Sequence, residues 1–197
     1  DARDATPASF YAHQSERSHV DAILRDFPQS SVHLLMGAIP KKQTDSLQLR
    51  KNSFDLHTSL QQFPAELNRP LLVADAKAAL PAAAGRGNWA LEAFQKAKTL
   101  LSKNKEGFLL VVEGAQIDHG GHANRLPYTV SELLDFDKVI GEAMSFADTN
   151  GETLVVVTGD HETGGLTLTG GDYKKGLVRG EFSTDDHTAI PVPEFAY

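Results

Sequence analysis

The sequence predicts an α/β fold, in which helices cover a largely parallel sheet. Three observations predict it: short apolar runs typical of strands, amphipathic stretches between them, and no apolar–polar alternation within the runs. A strand that is apolar on both faces is typical of a sheet buried between helices. Strand, helix and strand in this order imply right-handed crossovers between parallel strands.

The N-terminal part predicts a helix followed by a strand. Thr6 is a capping residue type, and Pro7 fits the first turn of a helix. Apolar residues at helical spacing continue through residues 20–27, and Pro28 ends the pattern. The apolar run at residues 32–36 predicts a buried strand.

The middle of the chain is less regular. One short helix is expected near residues 54–63, and a strand is expected at residues 71–74. Residues 78–87 are rich in alanine, proline and glycine, which predicts a loop of low order.

The second half has the clearest pattern. It predicts a helix at residues 89–101, a strand at 108–112, a helix at 128–147 and a strand at 154–157. No linker is clear enough to divide the sequence, so we expect a single domain over residues 1–197.

Composition narrows the class of protein. The 197 residues are 41% hydrophobic and 23% charged, as in ordinary globular domains. A net charge of -7 argues against nucleic-acid binding, which normally needs a basic face. The absence of cysteine excludes disulfides and thiolate metal sites. No apolar run approaches the roughly 20 residues that span a bilayer, and the N-terminus lacks the pattern of a signal peptide.

Residues of the types that bind metals follow both predicted apolar strands in the second half of the sequence. They are Glu113, Asp118, His119 and His122 after the first strand, and Asp160, His161 and Glu162 after the second. Ligands in open parallel sheets gather beyond the carboxyl ends of the strands. If these two strands are neighbours, both groups lie in one crevice.

Each group contains an oxygen and nitrogen pair suited to zinc. Asp118 and His122 offer a carboxylate and an imidazole, and glycines 120 and 121 let the chain bend so that both reach one ion. The alternative is an ordinary ion pair on a helix surface.

Asp160 and His161 offer a second pair, although they also fit a cap and turn after a strand. Two zinc ions roughly 3.5–4 Å apart can stabilise the attacking and leaving oxygens of an in-line displacement. Glu113 is a hard oxygen ligand that favours magnesium. The remaining histidines, His13, His19, His33 and His57, are expected to be surface or packed residues.

Three stretches resemble the alkaline phosphatase family. They are VEGAQID at residues 112–118, VTGDH at residues 157–161, and DATPA at residues 4–8 with His13 and Arg17 downstream. The resemblance implies a three-layer α/β/α sandwich with a largely parallel central sheet, present here as one partial domain over residues 1–197.

The resemblance also implies roles for individual residues. Two zinc ions and one magnesium ion are expected: the first zinc on Asp118, His122 and His187, the second on Asp160 and His161, and magnesium on Thr6 and Glu113 with Asp4 near it through water. Arg17 would bind phosphoryl oxygens with its planar fork, and His119 would help to position the phosphate.

The implied activity is hydrolysis of phosphate monoesters, by in-line phosphoryl transfer through a phosphoserine. The family places that serine upstream of DATPA, so we expect the nucleophile to lie outside this chain and the chain alone to be inactive. The expected small-molecule partners are phosphate monoesters and inorganic phosphate. A periplasmic or secreted location is expected, and a homodimer of the longer protein stays open. The alternatives are a phosphodiesterase or sulfatase on the same sheet, or a module that binds metal or phosphate without catalysis.

Overall fold

A computed structural model describes residues 1–48 and 53–197. The helices of the described chain are α1 (Ala5–Ser9), α2 (Val20–Asp26), α3 (Lys41–Gln48), α4 (Trp89–Leu101), α5 (Gln116–His122) and α6 (Leu126–Asn150). Its strands are β1 (Leu34–Gly37), β2 (Asp55–His57), β3 (Leu71–Ala74), β4 (Val156–Thr158), β5 (Glu162–Thr163), β6 (Thr167–Asp172), β7 (Leu177–Glu181), β8 (His187–Thr188) and β9 (Glu194–Ala196).

The described chain divides into two compact units. Unit 1 comprises Asp1–Leu80 and Glu92–Glu113, and unit 2 comprises Pro81–Leu91 and Gly114–Tyr197. The single domain over residues 1–197 stays a prediction. None of the described helices is both long and apolar enough to cross a membrane.

Unit 1 is built on a parallel three-stranded sheet in the order β1-β3-β2. The central strand β3 is buried at every residue, as its uniformly apolar sequence predicts. The apolar core around it includes Tyr11, Phe27 and Phe54, whose rings pack edge to face. The sheet and its helices confirm the predicted α/β class.

Two predictions for unit 1 are wrong in detail. The helix expected near residues 54–63 is instead strand β2 followed by a short 3₁₀ turn at Leu60–Gln62. Pairing with the central strand β3 outweighs the local helical pattern there. The N-terminal helix is also not continuous, because α1 ends at Ser9 and α2 begins at Val20. Its cap is Asp4, whose side chain accepts a hydrogen bond from the amide of Ala5.

The strand expected at residues 108–112 does not form within the described chain. Leu109 is 83% exposed and Val111 is 49% exposed, so the expected burial of both faces is also wrong. An apolar sequence alone does not make a strand, because its backbone groups also need a neighbouring strand. The strand expected at residues 154–157 is confirmed in part by β4, which pairs with β9 in an antiparallel and not a parallel sense.

Helix α6 is the longest element of unit 2 and confirms the helix predicted at residues 128–147. It ends at Gly151, whose φ of 72° closes the helix in the left-handed conformation. Residues 78–87 form more structure than the loop predicted for them. Arg86 from this segment is 8% exposed and forms ion pairs with Glu132 and Asp135 of α6.

Candidate metal centre

Three segments of unit 2 carry the metal-type side chains. Asp118 and His122 lie on α5, and His161 directly precedes β5. His187 opens β8, which pairs with β5 in the register that places Thr163 opposite His187. The β5–β8 pair therefore brings His187 beside residues that precede it by more than twenty positions in sequence.

Asp118, His122 and His187 present three ligand atoms at short mutual distances. The two Nε2 atoms of His122 and His187 lie 3.2 Å apart. Oδ1 of Asp118 lies 3.4 Å from Nε2 of His122 and 3.6 Å from Nε2 of His187. Tetrahedral zinc with ligands at about 2.0–2.2 Å separates its ligand atoms by about 3.3–3.6 Å. The three atoms therefore have the spacing of one face of a zinc tetrahedron.

Asp118 and His122 meet by a different route from the one expected. They are one helical turn apart on α5, so the regular helix and not a glycine bend brings them to one face. The glycines allow close packing instead. A Cβ at Gly120 would lie 2.6 Å from Oγ1 of Thr129, and one at Gly121 would lie 2.7 Å from the carbonyl oxygen of Thr163.

Asp160 and His161 form a second pair beside the first three ligands. Oδ2 of Asp160 lies 3.3 Å from Nε2 of His161, again a spacing suited to two ligands of one ion. The rings of His161 and His187 stack with their centroids 3.6 Å apart. Ligand atoms of Asp118, His161 and His187 also lie within 4.8 Å of one another. The two predicted zinc sites are therefore adjacent in unit 2.

His122 is oriented by a hydrogen bond at its other ring nitrogen. Nδ1 lies 2.6 Å from the carbonyl oxygen of Asp185 and donates to it, which leaves the Nε2 lone pair for a metal ion. This hydrogen bond raises the pKa of His122, burial opposes the rise, and the nearby carboxylates of Asp118, Asp186 and Asp185 add to it.

Glu162 holds the turn that leads from β5. Its carboxylate accepts hydrogen bonds from the hydroxyl of Thr188 and from the amides of Gly165 and Leu166. Burial raises the pKa of Glu162, but these hydrogen bonds outweigh burial, and the pKa lies below its usual value. A charged Glu162 therefore ties β5 to β8 next to His187.

The residues predicted to bind magnesium and phosphate lie in unit 1, except for His119. Asp4 caps α1 and also forms an ion pair with the exposed guanidinium of Arg17. Thr6 lies in α1, Glu113 is exposed, and the two form no hydrogen bond with each other in the described chain. Their metal role stays a prediction.

His119 lies on α5 and is exposed. Its Nδ1 is 3.3 Å from Oε1 of Gln116, which also accepts a hydrogen bond from the hydroxyl of Tyr128. The contact with Gln116 uses Nδ1 of His119 and not the other ring nitrogen, Nε2. The role of His119 in positioning phosphate stays a prediction.

The roles of three residues that shape this part of the chain were not predicted from the sequence. Thr163 donates a hydrogen bond to Asp118, Glu162 ties β5 to β8, and Arg86 is held by two acidic residues of α6. Glu162 and Thr163 follow directly after a predicted ligand, and that position was a usable signal. Arg86 lies in a stretch without apolar periodicity, which gives no sign of burial.

We expect that replacing Gly121 by alanine weakens zinc binding. The new methyl group would overlap the backbone of Thr163 and push α5 away from β5. We expect a loss of about 1–3 kcal/mol in the free energy of unfolding. Zinc titration and thermal unfolding would measure both effects.

Gly141→Ala is the matched control, because a Cβ at that helical position meets no atom within 4 Å. It should be neutral or stabilise α6 by up to about 1 kcal/mol. Normal zinc affinity and stability in Gly121→Ala would contradict the close approach of α5 to β5.

Comparison with known proteins gives one family. The family model of alkaline phosphatase matches residues 84–190. Alkaline phosphatase 3 of Bacillus subtilis is 30% identical over 178 residues, which cover 83% of this chain and 38% of that enzyme. Alkaline phosphatase of Escherichia coli is 48% identical over 66 residues, which cover 34% of this chain and 14% of that enzyme. The chain therefore spans well under half the length of these curated relatives.

Solved structures agree with the sequence comparison. Alkaline phosphatase from the Antarctic bacterium TAB5 superposes with a TM-score of 0.86 at 36% identity, over 100% of this chain and 62% of that one. A variant of the TAB5 enzyme, with magnesium bound in its M3 site, gives a TM-score of 0.87 at 35% identity, with the same coverage.

Proposed function

This chain belongs to the alkaline phosphatase family, and we propose from that premise that it is the metal-binding part of an enzyme that hydrolyses phosphate monoesters. The observation that carries the proposal is the set of three ligand atoms from Asp118, His122 and His187, spaced 3.2–3.6 Å apart. One carboxylate and two imidazoles are ligands that zinc accepts in catalytic sites, where one position stays open for substrate.

The second zinc site is proposed on Asp160 and His161. Its pair of ligand atoms is adjacent to the first set, as the stacking of His161 on His187 supports. Two bound zinc ions would polarise a phosphoryl oxygen and stabilise charge on the attacking and leaving groups. The work of the protein is to hold these ligands in place and to orient them through groups such as the Asp185 carbonyl.

Arg17 and His119 are proposed to bind the phosphoryl group. Nη2 of Arg17 forms an ion pair with Asp4. The other N–H groups of the Arg17 guanidinium are suited to hydrogen bonds with two phosphoryl oxygens. His119 would donate from its exposed ring on α5. Thr6 and Glu113 are proposed as magnesium ligands, because hydroxyl and carboxylate oxygens are the hard donors that magnesium prefers. Asp4 would act on that ion through water.

The nucleophilic serine is proposed to lie upstream of this chain in a longer protein, so the 197-residue chain alone should bind zinc without turning over substrate. Phosphate monoesters and inorganic phosphate are the proposed ligands of the longer protein. A periplasmic or secreted location and a homodimer are proposed for it on family grounds.

We expect the full-length protein to hydrolyse an aryl phosphate and to lose this activity when a chelator is added. The matching aryl phosphodiester and aryl sulfate, assayed under the same conditions, serve as controls. Hydrolysis of the monoester should exceed that of the other two substrates by at least about 100-fold, since the metal and arginine groups are suited to a dianionic phosphoryl group. Preference for the diester or the sulfate would overturn the substrate class. No turnover of any of the three would support a binding module.

A further inference from the structure

We propose that Thr163 is a positioning residue shared by both zinc sites. Its hydroxyl orients the carboxylate of Asp118 and also determines which ring nitrogen of His161 carries the proton. This inference rests on the proposed zinc centre and adds to it a residue that does not bind metal itself.

Thr163 is held firmly in the structure. It is the second residue of β5, lies opposite His187 in the ladder with β8, and is partly buried. Its backbone and Cβ face Gly121 of α5 so closely that a Cβ at that glycine would lie 3.0 Å from the Cβ of Thr163. The Thr163 hydroxyl therefore has a fixed position relative to the Asp118 side chain on α5.

The hydrogen bonds of this hydroxyl have only one consistent arrangement around a neutral His161 ring. Oγ1 of Thr163 lies 2.6 Å from Oδ1 of Asp118 and 3.1 Å from Nδ1 of His161. A carboxylate only accepts, so the single hydroxyl proton is donated to Asp118. The hydroxyl oxygen must then accept from His161, which places the imidazole proton on Nδ1.

This proton position makes His161 a competent ligand. With the proton on Nδ1, the Nε2 atom keeps its lone pair, and Nε2 is the atom that lies 3.3 Å from Oδ2 of Asp160. The Thr163 hydroxyl thus plays the role for His161 that the Asp185 carbonyl plays for His122.

The same hydroxyl also acts on the first zinc site. The oxygen of Asp118 that accepts from Thr163 is the one nearest to Nε2 of His122 and Nε2 of His187. A hydrogen bond to this oxygen fixes the rotation of the carboxylate and so preserves the spacing of the three ligand atoms. One hydroxyl therefore supports a ligand of each zinc ion, and its loss should affect both.

Two substitutions of Thr163 separate the effect of its hydroxyl from the effect of its side-chain shape. Thr163→Val keeps the branched shape but removes the hydroxyl, which leaves Oδ1 of Asp118 and Nδ1 of His161 without this partner. Thr163→Ser keeps the hydroxyl but removes the methyl group. In competition titrations of the 197-residue chain with a chromogenic chelator, we expect the valine variant to bind zinc about 10–100-fold more weakly and the serine variant to bind within about 3-fold of the unaltered chain.

A second measurement does not depend on how the Thr163 variants fold. Long-range ¹⁵N–¹H spectra of the metal-free, histidine-labelled chain report which ring nitrogen is protonated, and His161→Gln assigns the His161 signals. We expect the Nδ1–H form in the unaltered chain.

The role of Thr163 would be overturned by normal zinc affinity in the valine variant, by a serine variant as weak as valine, or by the Nε2–H form of His161. An unaltered chain that binds no zinc would instead overturn the proposed zinc centre, so the two failures are distinguishable.

Discussion

Replacing His122 by alanine should lower the zinc affinity of the chain by at least about 100-fold, more than loss of a group that only orients a ligand. The variant removes one of the three ligand atoms and leaves the other two, Oδ1 of Asp118 and Nε2 of His187, 3.6 Å apart. It also removes the group that the Asp185 carbonyl orients toward the metal. Each lost ligand reduces affinity because the site must then be completed by water.

Zinc content after equilibrium dialysis and affinity by chelator competition would measure this effect. His33→Ala is the matched control, since His33 is exposed and belongs to unit 1, whereas the three ligands belong to unit 2. The control should bind as much zinc as the unaltered chain. In the full-length protein, zinc content and hydrolysis of the aryl phosphate should fall together. Unchanged zinc content in His122→Ala would remove His122 from the set of ligands.

The three ligands of the first zinc site differ in how far the sequence alone identifies them. Asp118 and His122 were identifiable because they are close in sequence and follow an apolar run, although the expected glycine bend is a regular turn of helix α5 in the structure. His187 entered only through the family resemblance, because nothing local marks it as a ligand. Its place in the site depends on the pairing of β5 with β8, which involves residues more than twenty positions apart.

The orienting groups were not predictable for the same reason. Thr163 and Asp118 are 45 positions apart, and threonine is a common residue in strands. Its position soon after the predicted ligand His161 indicates that it lies near the site, but its residue type does not suggest that it donates to a carboxylate. The Asp185 carbonyl is a backbone group, for which residue identity carries no signal.

The fold was predictable where local pattern and tertiary pairing agree. Strand β3 and helix α4 were found because their apolar residues are buried in the way that their spacing requires. Helix α6 also forms where the pattern predicts it, although Leu133 and Leu134 are exposed and Glu132 and Asp135 are buried. The predictions at residues 54–63 and 108–112 were wrong because the outcome depends on a neighbouring strand. Strand β2 has one in β3, whereas residues 108–112 have none in the described chain.

Replacing Arg86 by methionine should destabilise unit 2 by about 3–5 kcal/mol, because the loss of one partner leaves buried charge uncompensated. Nη2 of Arg86 contacts Oε2 of Glu132 and lies 3.0 Å from Oδ2 of Asp135. These two acidic residues are 2% and 4% exposed. The amide of Ala82 still reaches Glu132 at 2.8 Å, but an amide does not neutralise two carboxylates. Lys138 is 3.6 Å from Asp135 and half exposed, so it compensates little.

Urea or thermal unfolding would measure the change, with Arg179→Met as the control. Arg179 lies on β7 of the same unit and is exposed, so its loss should change the free energy of unfolding by less than about 0.5 kcal/mol.

A further variant separates the effect of buried charge from the effect of side-chain packing. Adding Glu132→Gln and Asp135→Asn to Arg86→Met removes the uncompensated charges while keeping the side-chain shapes, so it should recover a large part of the lost stability. Equal stability of Arg86→Met and the unaltered chain, or no recovery in the triple variant, would show that buried charge is not what Arg86 balances.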